Sequence, residues 1–324
     1  MGQFFETVNQ CSDLISILNR KRAVPLSRIQ CTLTGGEPLE HPHFLEMLSY
    51  LRKEKPDWKT GVLTNGTLIT RENAAHLSEL STSFVQISID GSEKTHDAIR
   101  GDGNWKKAVE GLKILVASKI PSQISFTASA ANYKEFPNVA ALARRLGVNM
   151  VWADRMVPLG SAERELMLTP GQTKELFISM LNERKKCSTG STRIPMHRAL
   201  QFIYSGREPY RCSAGRSLIT IMPSGDVYPC RRMPLVAGNL HTTPLDEIYF
   251  SSSIFRQLQS PVTECAGCEK CYYLATCHGG LKCLAAAVSG SPFSGDPGCL
   301  RNLKNRDKTI ESEKILTTEV IAKV

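Results

Sequence analysis

Apolar residues are arranged in two different patterns along the first half of the chain. Apolar side chains that return every three or four residues predict helices at 4–20, 43–54, 71–80, 104–118 and 135–146. Short runs rich in β-branched and aromatic residues lie between them and predict strands at 28–34, 60–63, 84–89, 123–128 and 149–153. Strands that alternate with helices are typical of parallel βαβ units, which right-handed crossovers wind into a barrel or a doubly wound sheet. The pattern therefore predicts an α/β fold.

The second half of the chain loses this alternation after residue 169. Helices are predicted at 171–186 and 196–204, joined by a run of Ser, Thr and Gly at 188–192. A β-hairpin is predicted from 217–222 and 227–229 around a turn at 223–226. Short helices are predicted at 244–249 and 254–259, and the charged segment 301–324 is predicted to be frayed or weakly helical.

Glycine and polar residues follow the carboxyl ends of four predicted strands. The four stretches are Gly35-Gly36-Glu37-Pro38, Thr64-Asn65-Gly66, Asp90-Gly91-Ser92 and Pro158-Leu159-Gly160. One such stretch alone is ordinary turn chemistry. In barrels, however, this end of the sheet carries the active site, so four of them together predict a small-molecule site there.

Eight of the eleven cysteines lie after residue 211. They are Cys212, Cys230, Cys265, Cys268, Cys271, Cys277, Cys283 and Cys299. Four thiolates at short, irregular spacing suit iron–sulfur clusters or structural zinc, and eight make two sets of four. A disulfide framework suits small secreted domains instead, and the N-terminus has no signal-peptide pattern. The sequence therefore predicts metal binding, with both Cys212 and Cys230 brought to one centre by the hairpin.

The formal net charge of +9 raises the question of whether the protein binds nucleic acid. The basic residues are scattered, as at Arg144-Arg145 and Arg231-Arg232, and no aromatic-interleaved basic stripe is present. We interpret them as a solvated surface, with an acidic substrate as the alternative. No run of eighteen apolar residues predicts a membrane span, and thiolates at this density predict a reducing compartment, the cytoplasm.

Two sets of motifs resemble the radical SAM superfamily. The stretches Thr34-Gly35-Gly36-Glu37-Pro38, Leu63-Thr64-Asn65-Gly66 and Ser88-Ile89-Asp90-Gly91 are similar to motifs of its barrel. The series Cys212-x12-Gly225-x4-Cys230, Cys268-x2-Cys271-x5-Cys277 and Cys299 resembles its SPASM extension. That extension occurs on peptide- and protein-modifying enzymes, including anaerobic sulfatase-maturating enzymes and quinone-cofactor maturases. The resemblance covers roughly residues 30 to 300.

The resemblance implies a partial (β/α)6 barrel that lacks its first strand, followed by a small cysteine-rich domain with a β-hairpin. The implied boundaries are 1–165 for the barrel, 166–205 for a helical linker, 206–305 for the SPASM domain and 306–324 for a charged tail. A [4Fe-4S] cluster in such oxidoreductases reduces S-adenosylmethionine to a 5′-deoxyadenosyl radical, which abstracts a substrate hydrogen. A peptide or protein substrate, such as a ribosomal precursor, and an external electron donor, such as a flavodoxin or ferredoxin, are the implied partners.

The resemblance also implies roles for individual residues. Backbone around Gly35, Gly36 and Glu37 would hold the methionine amino group, because glycine lets backbone approach a ligand closely. The remaining predicted cofactor contacts are Ser88 and Asp90 near the methionine carboxylate and ribose, Asn65 on the substrate or cofactor face, and Val157 to Gly160 along the adenine.

Two auxiliary [4Fe-4S] clusters are implied by the cysteine pattern. One would be bound by Cys268, Cys271, Cys277 and Cys299. The other would be bound by Cys212, Cys230 and Cys283, and its fourth ligand is Cys265, a non-cysteine residue, water or substrate. His278 is interpreted as a residue beside the ligands or on the surface rather than as a ligand.

The chain departs from the family pattern at two places. The family's C-x3-C-x2-C loop is absent, since only Cys11 and Cys31 precede the T-G-G-E-P stretch. A chain that begins after that loop is the interpretation we favour, and a chemically inactive homologue is the alternative. The spacing from Cys277 to Cys283 is also two residues longer than usual. The rival functions are the same chemistry on a tetrapyrrole, a non-catalytic iron–sulfur electron-transfer protein, and a zinc-stapled binding module.

Overall fold

The computed structural model describes residues 1–26, 28–160, 162–187, 192–206, 211–261 and 264–300. The predicted tail at 301–324 and most of the predicted Ser/Thr/Gly run at 188–192 lie outside the described residues.

The first half of the chain forms a five-stranded parallel sheet. Its strands are β1 (Gln30–Leu33), β2 (Lys59–Thr64), β3 (Phe84–Ser88), β4 (Ser122–Ala128) and β5 (Met150–Arg155). Their order in the sheet is the order of the sequence, and every neighbouring pair is parallel. A doubly wound sheet reverses its strand order at a switch point, whereas this sheet does not. The predicted α/β barrel architecture is therefore confirmed.

One helix precedes the sheet, and the others connect its strands and cover one face of it. They are α1 (Gly2–Arg20), α2 (Phe44–Glu54), α3 (Arg71–Glu79), α4 (Glu93–Arg100), α5 (Asn104–Ala117) and α6 (Phe136–Leu146). Five of the six match predicted helices to within two residues at each end. Helix α4 was missed because His96 is its one buried residue, so it carries no apolar stripe.

The two faces of the sheet differ in polarity. Val85, Ile87 and Ile124 are fully buried against the helices and form the centre of the hydrophobic core. Successive side chains of a strand point to opposite faces. The other, concave face therefore carries Gln86 and Ser88 of β3, and Ser88 pairs in register with Ser125 of β4. The interior of the barrel is polar at the level where the strands end.

The segment after β5 packs onto the barrel. Helix α7 (Pro170–Lys186) begins at Thr169, whose side chain accepts a hydrogen bond from the Gln172 amide in a capping box. The helix predicted at 196–204 is instead a 3-10 turn, Ala199–Gln201, followed by one α-turn, α8 (Phe202–Ser205). Because apolar residues of α7 and α8 belong to the core of the barrel, the segment predicted as a linker shares that core.

The region after residue 211 contains short elements joined by turns. The predicted hairpin is present as β6 (Thr220–Ile221) and β7 (Asp226–Tyr228), and a third strand, β8 (Gly238–Asn239), extends it to an antiparallel sheet. The helices are α9 (Leu245–Ser251), α10 (Ser253–Gln259), α11 (Leu274–Cys277) and α12 (Lys282–Ser289). Strand β8 and helices α11 and α12 were not predicted. Among the described residues, no helix combines the length and apolar character needed to cross a membrane.

Candidate cofactor and cluster sites

The glycines after β1 lie at an open edge of the sheet. Gly35 and Gly36 are exposed, and a Cβ atom on either would meet no atom within 4 Å. Next to them, the Glu37 carboxylate accepts hydrogen bonds from Thr64 Oγ1 at 2.6 Å and from the Asn65 amide at 2.8 Å. Glu37 therefore ties the end of β1 to the end of β2 and leaves the glycine backbone accessible, as a ligand that approaches backbone needs.

Asn65 shapes the turn that follows β2. Its Oδ1 accepts hydrogen bonds from the amide and the hydroxyl of Thr67, at 2.8 and 2.7 Å. Gly66 comes next with φ +81°, and a Cβ there would lie 2.7 Å from a methyl carbon of Ile87. Only glycine fits this position without a shift of the core, so the Thr64-Asn65-Gly66 stretch has a structural reason besides any contact with a cofactor.

Asp90 is buried directly after β3. Its carboxylate accepts hydrogen bonds from Arg100 Nε at 2.6 Å and from the Thr127 amide at 2.9 Å. These contacts join β3 to α4 and to β4, so both carboxylate oxygens already have a protein partner. Ser88, by contrast, faces the concave interior beside Ser125. The predicted contacts of Ser88 and Asp90 with the methionine carboxylate and the ribose stay predictions.

Val157 and Gly160 lie beyond β5, at the far end of the sheet from β1. Val157 is half-buried against a hydrophobic cluster that contains Cys283 and Leu284. Gly160 is exposed with φ +64°. The predicted cofactor residues thus line the carboxyl edge of the sheet from β1 to β5 without forming a single compact pocket, and the adenine contact stays a prediction.

A buried charge network lies on the concave face at the end of β5. The Asp154 carboxylate accepts a hydrogen bond from Arg232, and Arg198 lies 4.0 Å from the same oxygen. Arg198 also stacks over the Trp152 ring, 4.7 Å from its centroid. Burial alone would raise the pKa of Asp154, but Arg232, Arg198 and Arg155 together hold it below its ordinary value. The interpretation of Arg232 as solvated surface is wrong, because this arginine connects the barrel to the cysteine-rich region.

The next residue of β5 makes a second connection on the opposite face. Arg155 donates two hydrogen bonds to Asp296, at 2.7 and 2.6 Å, and the two side chains are 3% and 1% exposed. Asp296 also accepts hydrogen bonds from the amides of Leu281 and Gly298, each at 2.9 Å. One carboxylate therefore holds together β5, the start of α12 and the loop that leads to Cys299. Sequence analysis missed both residues, since no local pattern marks a contact across 141 positions.

The first cysteine group consists of Cys212, Cys230 and Cys283. All three pack in or against one small hydrophobic cluster together with Leu284. The hairpin brings Cys212 towards Cys230, because the Gly215 amide donates to the carbonyl of Pro229 at 3.0 Å. Burial raises the pKa of the Cys283 thiol to about 12, and the Arg232 guanidinium opposes that shift. Thiolate formation there depends on a bound metal to displace the proton.

The second cysteine group consists of Cys265, Cys268, Cys277 and Cys299. The segment 293–299 joins its members, since Ala266 exchanges backbone hydrogen bonds with Phe293 and Gly295 at 2.9 and 2.8 Å. Near Cys277, the Asp296 amide donates to the carbonyl of Gly279 at 2.9 Å. A hydrogen bond between the two thiols lowers the pKa of Cys265 and raises the pKa of Cys268, so these sulfurs are adjacent.

The remaining candidate, Cys271, is half-buried and lies one turn beyond the second group. Its amide donates to the carbonyl of Cys268 at 2.9 Å. Cys265, offered as a fourth ligand for the first group, has Cys268 and Cys277 as its thiol neighbours instead. Among the described residues, no three His, Cys, Asp or Glu side chains converge on a position for one metal ion. The ligand roles of all eight cysteines therefore stay predictions.

Two buried basic side chains lie near both cysteine groups. Lys282 and His278 are 5% and 6% exposed, and within the described part of the chain Lys282 Nζ and His278 Nδ1 have no hydrogen-bond partner. Together with Arg211 and Cys212 they line a small cavity. His278 is buried and not on the surface, and burial lowers its pKa to about 4, with Arg211 and Lys282 adding to the effect. Orphaned buried donors beside thiols fit an anionic group, as a thiolate-bound cluster is.

The barrel itself does not supply a third thiol for a radical cluster. Cys11 of α1 and Cys31 of β1 are near neighbours, and burial, followed by the charge of Cys31, raises the pKa of Cys11 to about 12. The next cysteine in the chain is Cys187, which is buried in the core of the barrel. The residues of this chain thus fit auxiliary clusters but not the three-thiolate set of a radical cluster.

Two family profiles match the chain in the order of these sites. The radical SAM superfamily profile matches residues 16–143. The profile of an iron–sulfur cluster-binding domain, SPASM, matches residues 212–272. The first range contains three of the four glycine-marked strand ends, and the second begins at Cys212 and includes the hairpin.

Similarity to characterised proteins extends through both halves. The chain is 31% identical over 306 residues to the mycofactocin maturase MftC of Mycobacterium ulcerans, covering 91% of this chain and 80% of that protein. It is 28% identical over 286 residues to the AdoMet-dependent heme synthase of Methanosarcina barkeri, covering 83% of this chain and 81% of that protein.

Solved structures show the same fold at lower identity. The structure of anSMEcpe with bound AdoMet superimposes with a TM-score of 0.67 at 18% identity, covering 94% of this chain and 87% of that chain. Streptococcus suis SuiB bound to S-adenosylmethionine gives a TM-score of 0.68 at 16% identity, covering 83% of this chain and 66% of that chain. Proteins with these two domains are enzymes that use [4Fe-4S] clusters and S-adenosylmethionine. The strand order, the two cysteine groups and the extended match to MftC together establish that the chain belongs to the radical SAM superfamily, with an SPASM domain after its barrel.

Proposed function

We propose that this protein modifies a peptide or protein substrate by radical SAM chemistry, as a maturase. The observation that carries the proposal is the match to mycofactocin maturase MftC, which spans 91% of the chain and so includes the barrel and the cysteine-rich region alike. Similarity to the PqqA peptide cyclase of Gluconobacter oxydans, 25% identical over 86% of the chain, supports the same substrate class.

In this proposal the carboxyl edge of the sheet binds the cofactor. S-adenosylmethionine would supply the radical chemistry that removes hydrogen from the substrate, and the cluster that reduces it would need thiolates beyond those of this chain. The exposed backbone at Gly35 and Gly36 receives the methionine amino group, and Glu37 keeps that backbone in place through Thr64 and Asn65. Ser88 on the concave face receives the carboxylate. These residues bind and orient, while the polar interior leaves room for the substrate above them.

The cysteine-rich region holds the auxiliary clusters. The first cysteine group provides three thiolates for one cluster, and the second provides four thiolates for the other, with Cys271 as a competing ligand. The clusters transfer electrons or ligate the substrate, and an external donor of the flavodoxin or ferredoxin type supplies the electrons. A ribosomally made precursor peptide is the proposed partner, in line with the structure of SuiB bound to precursor peptide SuiA, which has this fold.

A tetrapyrrole is the second candidate substrate. The match to AdoMet-dependent heme synthase, 28% identical over 83% of the chain, favours it. So does the arrangement of two arginines around Asp154 at the mouth of the barrel, because two guanidinium groups facing one carboxylate leave positive charge for an acidic substrate.

Co-expression under strictly anaerobic conditions tests the substrate class. The protein, extended at its N-terminus by a loop with the family's C-x3-C-x2-C pattern, is produced together with each short peptide encoded beside its gene, and the intact mass of the peptide is measured. We expect a mass change that requires the protein and is lost in the Cys268→Ser/Cys271→Ser variant. Unchanged peptides together with altered tetrapyrrole masses in the same cells would favour the second candidate and overturn the first.

The metal content tests the cluster assignment independently of the substrate. After anaerobic reconstitution we expect about eight irons and a matching amount of sulfide per chain, as two cubane clusters contain. About twelve irons would mean that the thiols near the N-terminus bind a third cluster. Zinc without sulfide would exclude radical chemistry and leave a zinc-stapled binding module.

A further inference from the structure

Lys282 is a buried lysine at the start of helix α12. Lys282 is 5% exposed, and its Nζ has no hydrogen-bond partner within the described part of the chain. Lysine is almost never buried to this extent unless its charge is paired. An unpaired ammonium in a protein interior is strongly unfavourable, because it has lost its hydration and gained no counter-charge. The burial of Lys282 therefore needs a partner that carries negative charge.

The surroundings of Lys282 contain thiols from both cysteine groups. Its charge interacts with Cys212 of the first group and with Cys265, Cys268 and Cys277 of the second. The next residue, Cys283, belongs to the first group, and the preceding residue, Leu281, is held by Asp296 through its amide. The ammonium lies over the Phe293 ring, with Nζ 5.3 Å from the ring centroid, a cation–π contact that brings no negative charge. Lys282 thus lies at the boundary between the two groups.

The other groups around this boundary are basic or neutral. Arg211 and His278 line the same small cavity as Lys282 and Cys212, and Leu258 and Phe293 complete it. His278 provides no negative charge, since an imidazole side chain is either neutral or cationic. No carboxylate lines this cavity. Among the described residues the ammonium thus has no anionic partner, and the cysteine thiolates would provide one once they bind a metal.

The charge of a neighbouring cation acts directly on a cluster's reduction potential. A thiolate-bound [4Fe-4S] cluster is anionic, and one-electron reduction adds one more negative charge to it. A fixed positive charge nearby stabilises the reduced form more than the oxidised form, and burial strengthens that interaction because solvent does not screen it. A cation between two clusters acts on both of them.

We propose that Lys282 is a positioning residue that lies between the two auxiliary clusters and raises the reduction potentials of both with its ammonium. The proposal depends on the clusters and not on the identity of the substrate. A failure to find a modified peptide therefore leaves it standing, and a failure of this proposal leaves the substrate class untouched.

The test compares variants of the reconstituted full-length protein. Lys282→Met removes the charge and keeps the apolar stem, Lys282→Gln removes the charge and keeps a polar end, and Lys282→Arg keeps the charge. Lys270→Met is the matched control, since it removes an exposed lysine from the loop between Cys268 and Cys271. Iron and sulfide are counted first, and midpoint potentials are then measured by redox titration followed with electron paramagnetic resonance.

We expect Lys282→Met and Lys282→Gln to retain both clusters with lowered midpoint potentials. The expected change is at least tenfold in the one-electron equilibrium, or about 59 mV. Lys282→Arg and Lys270→Met should stay close to the unmodified protein. Loss of iron in both neutral variants with full iron in Lys282→Arg would also support the proposal, because the charge alone then decides assembly.

Two results would overturn it. One is an unchanged potential in an iron-replete Lys282→Met or Lys282→Gln variant. The other is loss of iron in all three Lys282 variants, since that outcome assigns the residue a role in packing that its charge does not explain.

Discussion

The barrel and the cysteine-rich region are built on different principles. The barrel has a continuous hydrophobic core in which Leu112, Ile124 and Phe136 are fully buried. The region from 211 to 300 has only small apolar clusters and strands of two or three residues. A small core does not stabilise a domain alone, and bound metals commonly make up the difference. The comparison teaches that apolar burial holds the first region and that the second, under the proposed function, would be held by cysteines bound to clusters.

The unfolding of the two regions can be followed by two different spectroscopic signals. All three tryptophans, Trp58, Trp105 and Trp152, belong to the barrel part of the chain. Tryptophan fluorescence therefore follows the unfolding of the barrel, and the visible absorbance of iron–sulfur clusters follows the cysteine-rich region.

The largest expected effect is the loss of a cluster from the second cysteine group. Replacing both Cys268 and Cys271 with serine removes two neighbouring thiols, and we expect iron to fall by about four per chain, one cubane cluster's worth. The tryptophan unfolding transition should change much less than the cluster absorbance. Metal analysis and urea titration measure the two quantities on the same sample.

Single variants show which thiols are ligands. Cys187→Ser is the matched control, since Cys187 is buried in the barrel core far along the chain from both groups. Cys265→Ser and Cys271→Ser are then compared, because the structure places Cys265 beside Cys268 and leaves Cys271 half-buried. Unchanged iron in the double variant would refute the assignment of this group.

The second largest effect is expected at the ion pair between the regions. Asp296→Asn leaves the Arg155 guanidinium buried without its carboxylate, which costs roughly 3–5 kcal/mol of unfolding free energy. Because the pair joins β5 to the loop before Cys299, the fluorescence and absorbance transitions should both move to lower urea. Glu110→Gln is the matched control. It breaks the exposed pair with Lys113, where a change below about 1 kcal/mol is expected. A shift confined to the absorbance would contradict the coupling.

A smaller effect should remain confined to the barrel. A Cβ on Gly111 of α5 would lie 2.6 Å from the Gly66 carbonyl oxygen and 3.1 Å from Ile69 Cβ. Overpacking of this kind costs about 1–3 kcal/mol, and the higher helix propensity of alanine returns about 1 kcal/mol. We therefore expect Gly111→Ala to lower the urea midpoint of the fluorescence transition, with no loss of iron.

The matched control for that variant is Gly171→Ala in α7. A Cβ there meets its nearest neighbour, Thr169 Oγ1, at 3.9 Å, which is ordinary contact. Its fluorescence transition should stay in place or move slightly to higher urea. Equal effects of the two substitutions would show that the close approach of α5 to the turn after β2 does not constrain the barrel.

The smallest expected effect is a dependence of the unfolding free energy on pH in the acidic range. Arginines hold the pKa of Asp154 below its ordinary value of about 3.9 despite its burial. The stability that its charged form contributes is therefore complete above that value and is lost as the pH falls through the lower, folded-state pKa. The difference in unfolding free energy between the unmodified protein and Asp154→Asn should shrink as the pH falls below about 4. A difference that stays constant across this range would contradict the assignment.

The sequence predicted the elements within the regions better than the contacts between them. In the barrel, Val85, Ile87 and Ile124 alternate with polar residues, and this local period predicted the strands and helices to within two residues in most cases. The hairpin was predictable for a similar reason, from its turn at Gly225. Helix α4 and strand β8 were missed because one is polar and the other is two residues long.

The connections between the regions left no such signal. Arg155 and Asp296 are 141 positions apart, and Arg232 and Asp154 are 78 apart. Each looks like an ordinary surface charge in the sequence, and only the packing of the two regions buries it. The burial of Lys282 was hidden in the same way, since lysine one residue before a cysteine is typical of a solvated loop. Local patterns predict elements, whereas buried charges depend on contacts that form only in the folded chain.

Strand β5 has one further consequence through its last two residues. Asp154 and Arg155 point to opposite faces, and each is bound to the cysteine-rich region by a buried ion pair. A pivot of that region about the strand would have to stretch one of these pairs whichever way it turned. Two pairs on opposite faces of one strand therefore resist a pivot in either direction, and we expect the distance between the mouth of the barrel and the cysteine-rich region to change little when a substrate binds.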